Sequence, residues 1–186
     1  MTKNTIAMGE KPIPTEAAKP RVHAFAEEVA RQLGVGVGHP LEPVVSRLGG
    51  TIRYHSPFAT ANNAPPSIEV EHSRSFVIHL PSTTSPQRDR FTIAHELGHL
   101  FLHYPMVLKE KPGARMVATR WVDPSDPKQQ RAEWEANWFA AAFLMPTEAF
   151  TAAWKSMSGN LSAVASLFEV SEQAAEIRAK SLGSQL

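Results

Sequence analysis

Apolar positions in this chain recur at two different spacings, and the changes of spacing divide it into segments. Val22, Phe25, Ala26, Val29 and Leu33 repeat at helical intervals until Gly34-Val35-Gly36 interrupts them. Leu41, Val44, Val45 and Leu48 predict a second, shorter helix closed by Gly49-Gly50. The strings Thr51-Ile52-Arg53-Tyr54, Ser67-Ile68-Glu69-Val70-Glu71 and Ser75-Phe76-Val77-Ile78-His79-Leu80 alternate and are rich in β-branched or aromatic residues, as strands are. After a polar stretch from Ser82 the helical period returns over 89–103, with Tyr104-Pro105 expected to end it. Residues 104–130 show no sustained period and read as a surface excursion. Helix is expected again from about Arg131 through Leu144, then over 161–168 and 172–182.

Strands followed by helices, with no repeat, predict an α+β domain in which a small, mostly antiparallel sheet packs beside several helices. Residues 1–20 carry Pro12, Pro14 and Pro20 among polar and small residues and are expected to form a flexible leader. The expectation is one catalytic domain over 21–186, closed by a helical pair at about 161–183.

Composition narrows the chemistry. With no cysteine, the chain has no disulfide, thiolate metal site, iron–sulfur cluster or cysteine nucleophile, so a metal would need His, Asp or Glu. Nineteen Lys and Arg against eighteen Asp and Glu create no global field toward nucleic acid or anionic lipid. No apolar run approaches the ~20 residues that span a bilayer, and the N-terminal residues lack the apolar core of a signal peptide, so a cytoplasmic location is expected.

The chemistry is concentrated in His95-Glu96-Leu97-Gly98-His99. Two histidines four apart on a helix are about 40° apart in projection and roughly 6 Å apart along the axis, a separation that can pinch one ion. Glu96, about 100° further round, can take a proton from a water attacking a carbonyl. The site predicted is therefore a zinc centre for peptide-bond hydrolysis, with His95 and His99 as ligands and Glu96 as base. Gly98, where alanine would favour the helix by ~1 kcal/mol, suggests that another segment packs closely there.

Catalytic zinc usually has three protein ligands, and Arg131-Ala132-Glu133-Trp134-Glu135-Ala136-Asn137 offers two carboxylates. Glu133 shares a helix face with Ala136, Asn137, Ala140 and Leu144, so it is preferred as third ligand; Glu135 points nearly opposite and is expected to stay out of the site. Asn137, one turn beyond Glu133, can orient a ligand from behind. His103, about 12 Å along the helix from His95, is too far to share its ion, and an interaction with the helix dipole is expected instead. His103, Tyr104, Arg88 and Arg90 remain open as transition-state stabilisers. Residues 76–80 read either as an edge strand that pairs with an extended substrate or as a core strand.

The strings Arg90-Phe91-Thr92-Ile93-Ala94-His95-Glu96-Leu97-Gly98-His99-Leu100-Phe101-Leu102-His103 and Glu133-Trp134-Glu135-Ala136-Asn137-Trp138-Phe139-Ala140-Ala141-Ala142-Phe143-Leu144-Met145-Pro146 resemble the two signatures of the ImmA/IrrE metallopeptidases. The resemblance implies a gluzincin-like site with two His and one Glu on zinc, and a helix-turn-helix transcriptional repressor as the protein cleaved, which relieves repression. The second string is similar to the Glu-x-x-Ala-Asp ligand helix of other gluzincins, with Asn137 in place of the acid.

Two other classes compete. The helices flanking Val170-Ser171 have the outline of a helix-turn-helix, but Arg178 and Lys180 face Glu169, Glu172 and Glu176, which offers phosphates little attraction, so no direct nucleic-acid binding is expected. A zinc protein could also sequester a repressor without cutting it. Glu96 argues against that, because a structural zinc site needs no base.

Overall fold

The computed structural model describes residues 9–56 and 66–183. Its elements, in order, are α1 (Lys19–Gln32), α2 (Glu42–Arg47), β1 (Gly50–His55), β2 (Ile68–His72), β3 (Ser75–Pro81), α3 (Pro86–Gly98), a π-helical turn (His99–His103), α4 (Tyr104–Glu110), β4 (Met116–Ala118), α5 (Pro127–Leu144), α6 (Thr147–Ser156), α7 (Leu161–Phe168) and α8 (Glu172–Ser181). The expected α+β class holds. The sheet has the order β1-β3-β2-β4, with β1 parallel to β3 and the other two pairings antiparallel. Residues 76–80 are therefore an inner strand, and the edge-strand alternative is excluded.

The sheet buries one face. Ile68 and Val70 of β2 and Phe76, Ile78 and Leu80 of β3 lie in the same core as Ile93, Ala94 and Leu97 of α3, while Glu69 and Val77 alternate to the less buried side. On its other flank α3 packs against α5, which packs in turn against α1. A Cβ built on Gly98 would lie 3.1 Å from Ala136 Cα and 3.3 Å from Ala136 O, so the backbones of α3 and α5 meet at that point. The close packing expected at Gly98 is present, and α5 supplies it.

Both site helices begin earlier than their apolar periods suggest. Ser85 caps α3 by accepting from Arg88 N with Pro86 in the first turn, and Asp126 caps α5 by accepting from Gln129 N beside Pro127. Nor does α3 stop at Tyr104-Pro105. Tyr104 N–H reaches back five residues to His99 O, and helix continues to Glu110. The widened turn lets the chain run on through a proline that has no N–H to contribute. The supposed excursion over 104–130 thus contains α4 and β4, whose three residues are too few to show an alternation.

The leader expected to be flexible over 1–20 is an extended strap from Gly9 onward; residues 1–8 lie outside the described residues. Glu10 N donates to Arg115 O and Val117 N to Glu10 O, so the strap lines the outer edge of β4. Further along, Gln129 Nε2 donates to Pro12 O, Arg131 Nη2 to Ala17 O, and Thr15 to Glu135, while Pro12 and Pro14 are buried. Composition missed this because backbone and polar bonds to α5 and β4, which a count of apolar residues does not register, help to hold the segment.

The C-terminal pair packs onto the rest through apolar side chains, among them Val164, Phe168 and Ala175, and through one buried cation. Arg178 of α8 is fully buried and donates to Met145 O at 2.9 Å, Glu27 Oε1 at 3.0 Å and Thr147 Oγ1 at 3.2 Å, with His23 Nδ1 at 3.2 Å from Nη1. It joins α8 to α1 and to the start of α6, a helix the sequence reading did not foresee. Arg178→Ala would leave Glu27 and Met145 O without this donor, at a cost of about 3–5 kcal/mol. At roughly 2–4 °C per kcal/mol for a chain of this size, thermal denaturation should show a drop of at least about 6 °C, which Arg178→Lys, lacking the planar fork, restores only in part.

Candidate metal centre

The helix α3 and its π turn carry a ladder of histidines, and α5 crosses beside it with two carboxylates. His95, His99 and Glu133 come together, one ligand atom from each lying within 4.8 Å of the others. His95 Nε2 and His99 Nε2 are 3.1 Å apart. Glu133 Oε2 lies 3.2 Å from the first and Oε1 3.2 Å from the second. Ligands spread tetrahedrally around an ion at about 2.0–2.1 Å are roughly 3.3 Å from one another, so the three donors already have the spacing that such an ion needs. His99 is fully buried, while the His95 and Glu133 side chains are 14% and 27% exposed, which leaves the cluster open on one side.

The outward nitrogens explain why the inward ones are free to bind. His95 Nδ1 lies 3.1 Å from Asn137 Oδ1, and since an amide oxygen only accepts, the proton is assigned to Nδ1. His99 Nδ1 lies 2.9 Å from His103 Nδ1, and His103 Nε2 lies 3.2 Å from Glu135 Oε2. That carboxylate assigns the His103 proton to Nε2, making His103 Nδ1 the acceptor and His99 Nδ1 the donor. Both inner Nε2 atoms then carry lone pairs that converge, with a carboxylate, on one point. Three converging acceptors repel unless a cation or a proton lies among them.

Titration behaviour follows from this crowding. Burial pulls His99 down to about 3, with Glu133 opposing and His95 and His103 reinforcing it, so its ring stays neutral. Burial also disfavours the charged form of His95, but the Glu133 hydrogen bond and the charges of Glu96 and Glu133 outweigh it and raise its pKa. Burial would raise Glu133, yet hydrogen bonds and charge from His95 and His99 hold it well below the usual carboxylate range.

Glu96 occupies a different environment. It is 3% exposed, and its Oε2 has no hydrogen-bond partner among the described residues. Burial pushes its carboxyl up to about 7; Glu133 adds to the rise, while the charges of His95 and Arg120 and a hydrogen bond from Ser67 restrain it. A carboxyl with a pKa near neutrality can both accept and return a proton.

The structure brings His95, Glu96, His99, Glu133 and Asn137 to one place, as the sequence suggested. It differs at His103 and Glu135. His103 is fully buried and bonded to His99, and Glu135, expected to stay out of the site, is two hydrogen bonds from His99. Among the stabilisers left open, Arg90 is bonded to His39 O and Tyr104 hydroxyl to Glu71 O, so neither is free at the cluster. Arg120, which sequence reasoning missed, acts electrostatically on Glu96 and donates to His79 O. Its position just after the three-residue β4 gave no signal. A cleft of about 750 Å³ is lined by Arg88, Phe91, Asn137, Trp138 and Ile177 among others, and none of the three clustered donors lines it. The donor geometry is therefore the better guide to the chemistry.

An α+β domain with a helix-borne His-Glu-x-x-His and a carboxylate from a second helix defines the architecture of a metallopeptidase. The chain belongs to the Peptidase_M78 family, whose model, the IrrE N-terminal-like domain, matches residues 47–180, and this membership implies a metallopeptidase. A solved structure of a Mycobacterium tuberculosis transcriptional regulator is similar in fold, with a TM-score of 0.61 and 17% identity. The similarity covers 86% of this chain and 55% of that one, so this chain spans about half the length of that protein. No curated protein matches the chain.

The raised pKa of Glu96 has a measurable consequence. Between 4.5 and about 7 the folded chain holds a proton that the unfolded chain has lost, so this residue's contribution makes stability fall as pH rises through that window. Glu96→Gln removes the penalty. In chelator, the metal-free variant should exceed wild type in stability at pH 8 by on the order of 1–3 kcal/mol, with the gap closing toward pH 4.5, as followed by thermal melts across pH.

Proposed function

We propose that the chain is a zinc-dependent endopeptidase that cuts a protein substrate, a helix-turn-helix transcriptional repressor, and thereby relieves repression. The observation that carries this reading is the buried, half-unpartnered Glu96 carboxyl beside three converging donors. A structural metal site has no use for such a base. Family membership supports a peptidase; the repressor as substrate follows from the resemblance of the two signature strings. No described helix is long and apolar enough to cross a membrane, and we place the activity in the cytoplasm, where a repressor would be met.

In this reading His95, His99 and Glu133 hold the ion, and Asn137 keeps the His95 ring turned toward it. Zinc fits the donor set of two imidazoles and a carboxylate, and when bound it supplies Lewis acidity to the scissile carbonyl and to water. Glu96 takes the proton of the attacking water on its free oxygen and returns it to the departing amine. Ser67 holds Glu96 in place, and Arg120 provides positive charge beside it. His99 stays neutral throughout because burial disfavours its charged form.

His95→Ala and His99→Ala should abolish tight zinc loading, and Glu133→Gln should weaken it, by metal analysis after dialysis. Glu96→Gln should retain the metal while losing about 10²- to 10⁴-fold in cleavage of a co-expressed repressor. Full zinc in a His variant would remove the ligand assignment. Relief of repression by Glu96→Gln with no cut product would make the chain a sequestering partner instead of an enzyme.

A further inference from the structure

Behind His99 lies a buried chain of hydrogen bonds that the hydrolytic reading does not require. The carboxylate of Glu135 is completely buried, yet both its oxygens are used. Oε2 accepts from Thr15 N at 2.8 Å, Thr15 Oγ1 at 2.8 Å and His103 Nε2 at 3.2 Å, and Oε1 accepts from Arg131 Nε at 3.0 Å. Its neighbours on α5 that are equally buried, Ala132, Ala136 and Phe139, are apolar. A charge in such a place is costly to desolvate unless it is fully compensated, and an apolar residue of similar volume would serve packing as well or better. The imidazole of His103 is buried to the same degree.

What these two residues share is a line that ends on His99. The His99 and His103 rings lie with centroids 4.9 Å apart inside the π turn, Nδ1 to Nδ1, while the opposite nitrogen of His99 faces His95 and Glu133. A carboxylate that only accepts sets the tautomer of His103, and His103 then sets that of His99. Histidine ligands are commonly oriented by a carboxylate, carbonyl or water on the far nitrogen, and loss of that partner typically weakens metal affinity 10- to 100-fold.

We propose that His103 and Glu135 are positioning residues that hold His99 with its Nδ1 protonated and its Nε2 lone pair aimed at the metal, and that Thr15 of the N-terminal strap completes the carboxylate's bonding. This rests on the reading of His95, His99 and Glu133 as a metal site. The strap therefore acts on the metal centre through three hydrogen-bonded side chains, with no contact to the ion.

Two measurements on the full chain test it. Chelator competition should give zinc affinities about 10- to 100-fold weaker for Glu135→Gln and His103→Phe than for wild type. A folded variant that binds zinc within about twofold of wild type overturns the proposal and leaves the metal site standing. Failure of wild type to bind zinc overturns the metal-site reading and the proposal with it. The second measurement needs no variant: ¹⁵N-histidine spectra of the zinc-loaded wild type should show a protected Nδ1–H on His99 and an Nε2–H on His103. An Nε2–H on His99, or a proton on His103 Nδ1, overturns the relay whatever the variants do.

Discussion

Three lone-pair donors converge on one point, and much of this fold serves to keep them there. His95 Nε2, His99 Nε2 and the Glu133 carboxylate meet at 3.1–3.2 Å, an arrangement that electrostatics opposes until a cation fills it. The donors come from two helices, so the distance between α3 and α5 sets the geometry. At Gly98 the missing side chain lets α3 approach the α5 backbone at Ala136, one turn from Glu133. The sheet fixes the other flank of α3 through Ile78, Leu80 and Ile93, and α1 backs α5. Packing thus supplies what the three donors cannot supply for themselves.

Orientation is set one layer further out, differently for each histidine. His95 is held by Asn137, a neutral amide one turn from Glu133, and remains partly exposed. His99 is buried and held by His103, then Glu135, then the strap and Arg131. Glu96 is deliberately under-bonded by comparison, with one carboxyl oxygen lacking a partner and a pKa near neutrality. On the proposed reading the ligands are over-determined and the base is left available, which is the division of labour that metal-assisted hydrolysis needs.

Much of this was legible because it depends on intervals within single helices. The i, i+4 spacing placed His95 and His99 together, the i, i+4 spacing from Glu133 placed Asn137, and mid-helix Gly98 announced a close neighbour. His103 and Glu135 were misjudged for the same reason: a helical projection shows which residues share a face but not which face of another helix they meet. Distance along the axis set His103 apart from the expected ligands, and could not reveal that it bonds His99. The strap's low apolar content suggests flexibility, whereas backbone bonds to β4 and polar bonds to α5 add a hold that composition does not register. The strand β4, at three residues, and the Ser-Pro and Asp-Pro starts of α3 and α5 were below or outside a search for apolar period.

The most direct measurement of the central claim is a crystal structure of the protein grown with zinc, with the ion located by its anomalous scattering. The account predicts one ion per chain at about 2.0–2.2 Å from His95 Nε2, His99 Nε2 and a Glu133 oxygen, with solvent in the remaining position and Glu96 beside it unbound. An ion elsewhere, or one whose fourth position is closed by a further side chain of the protein, would contradict it.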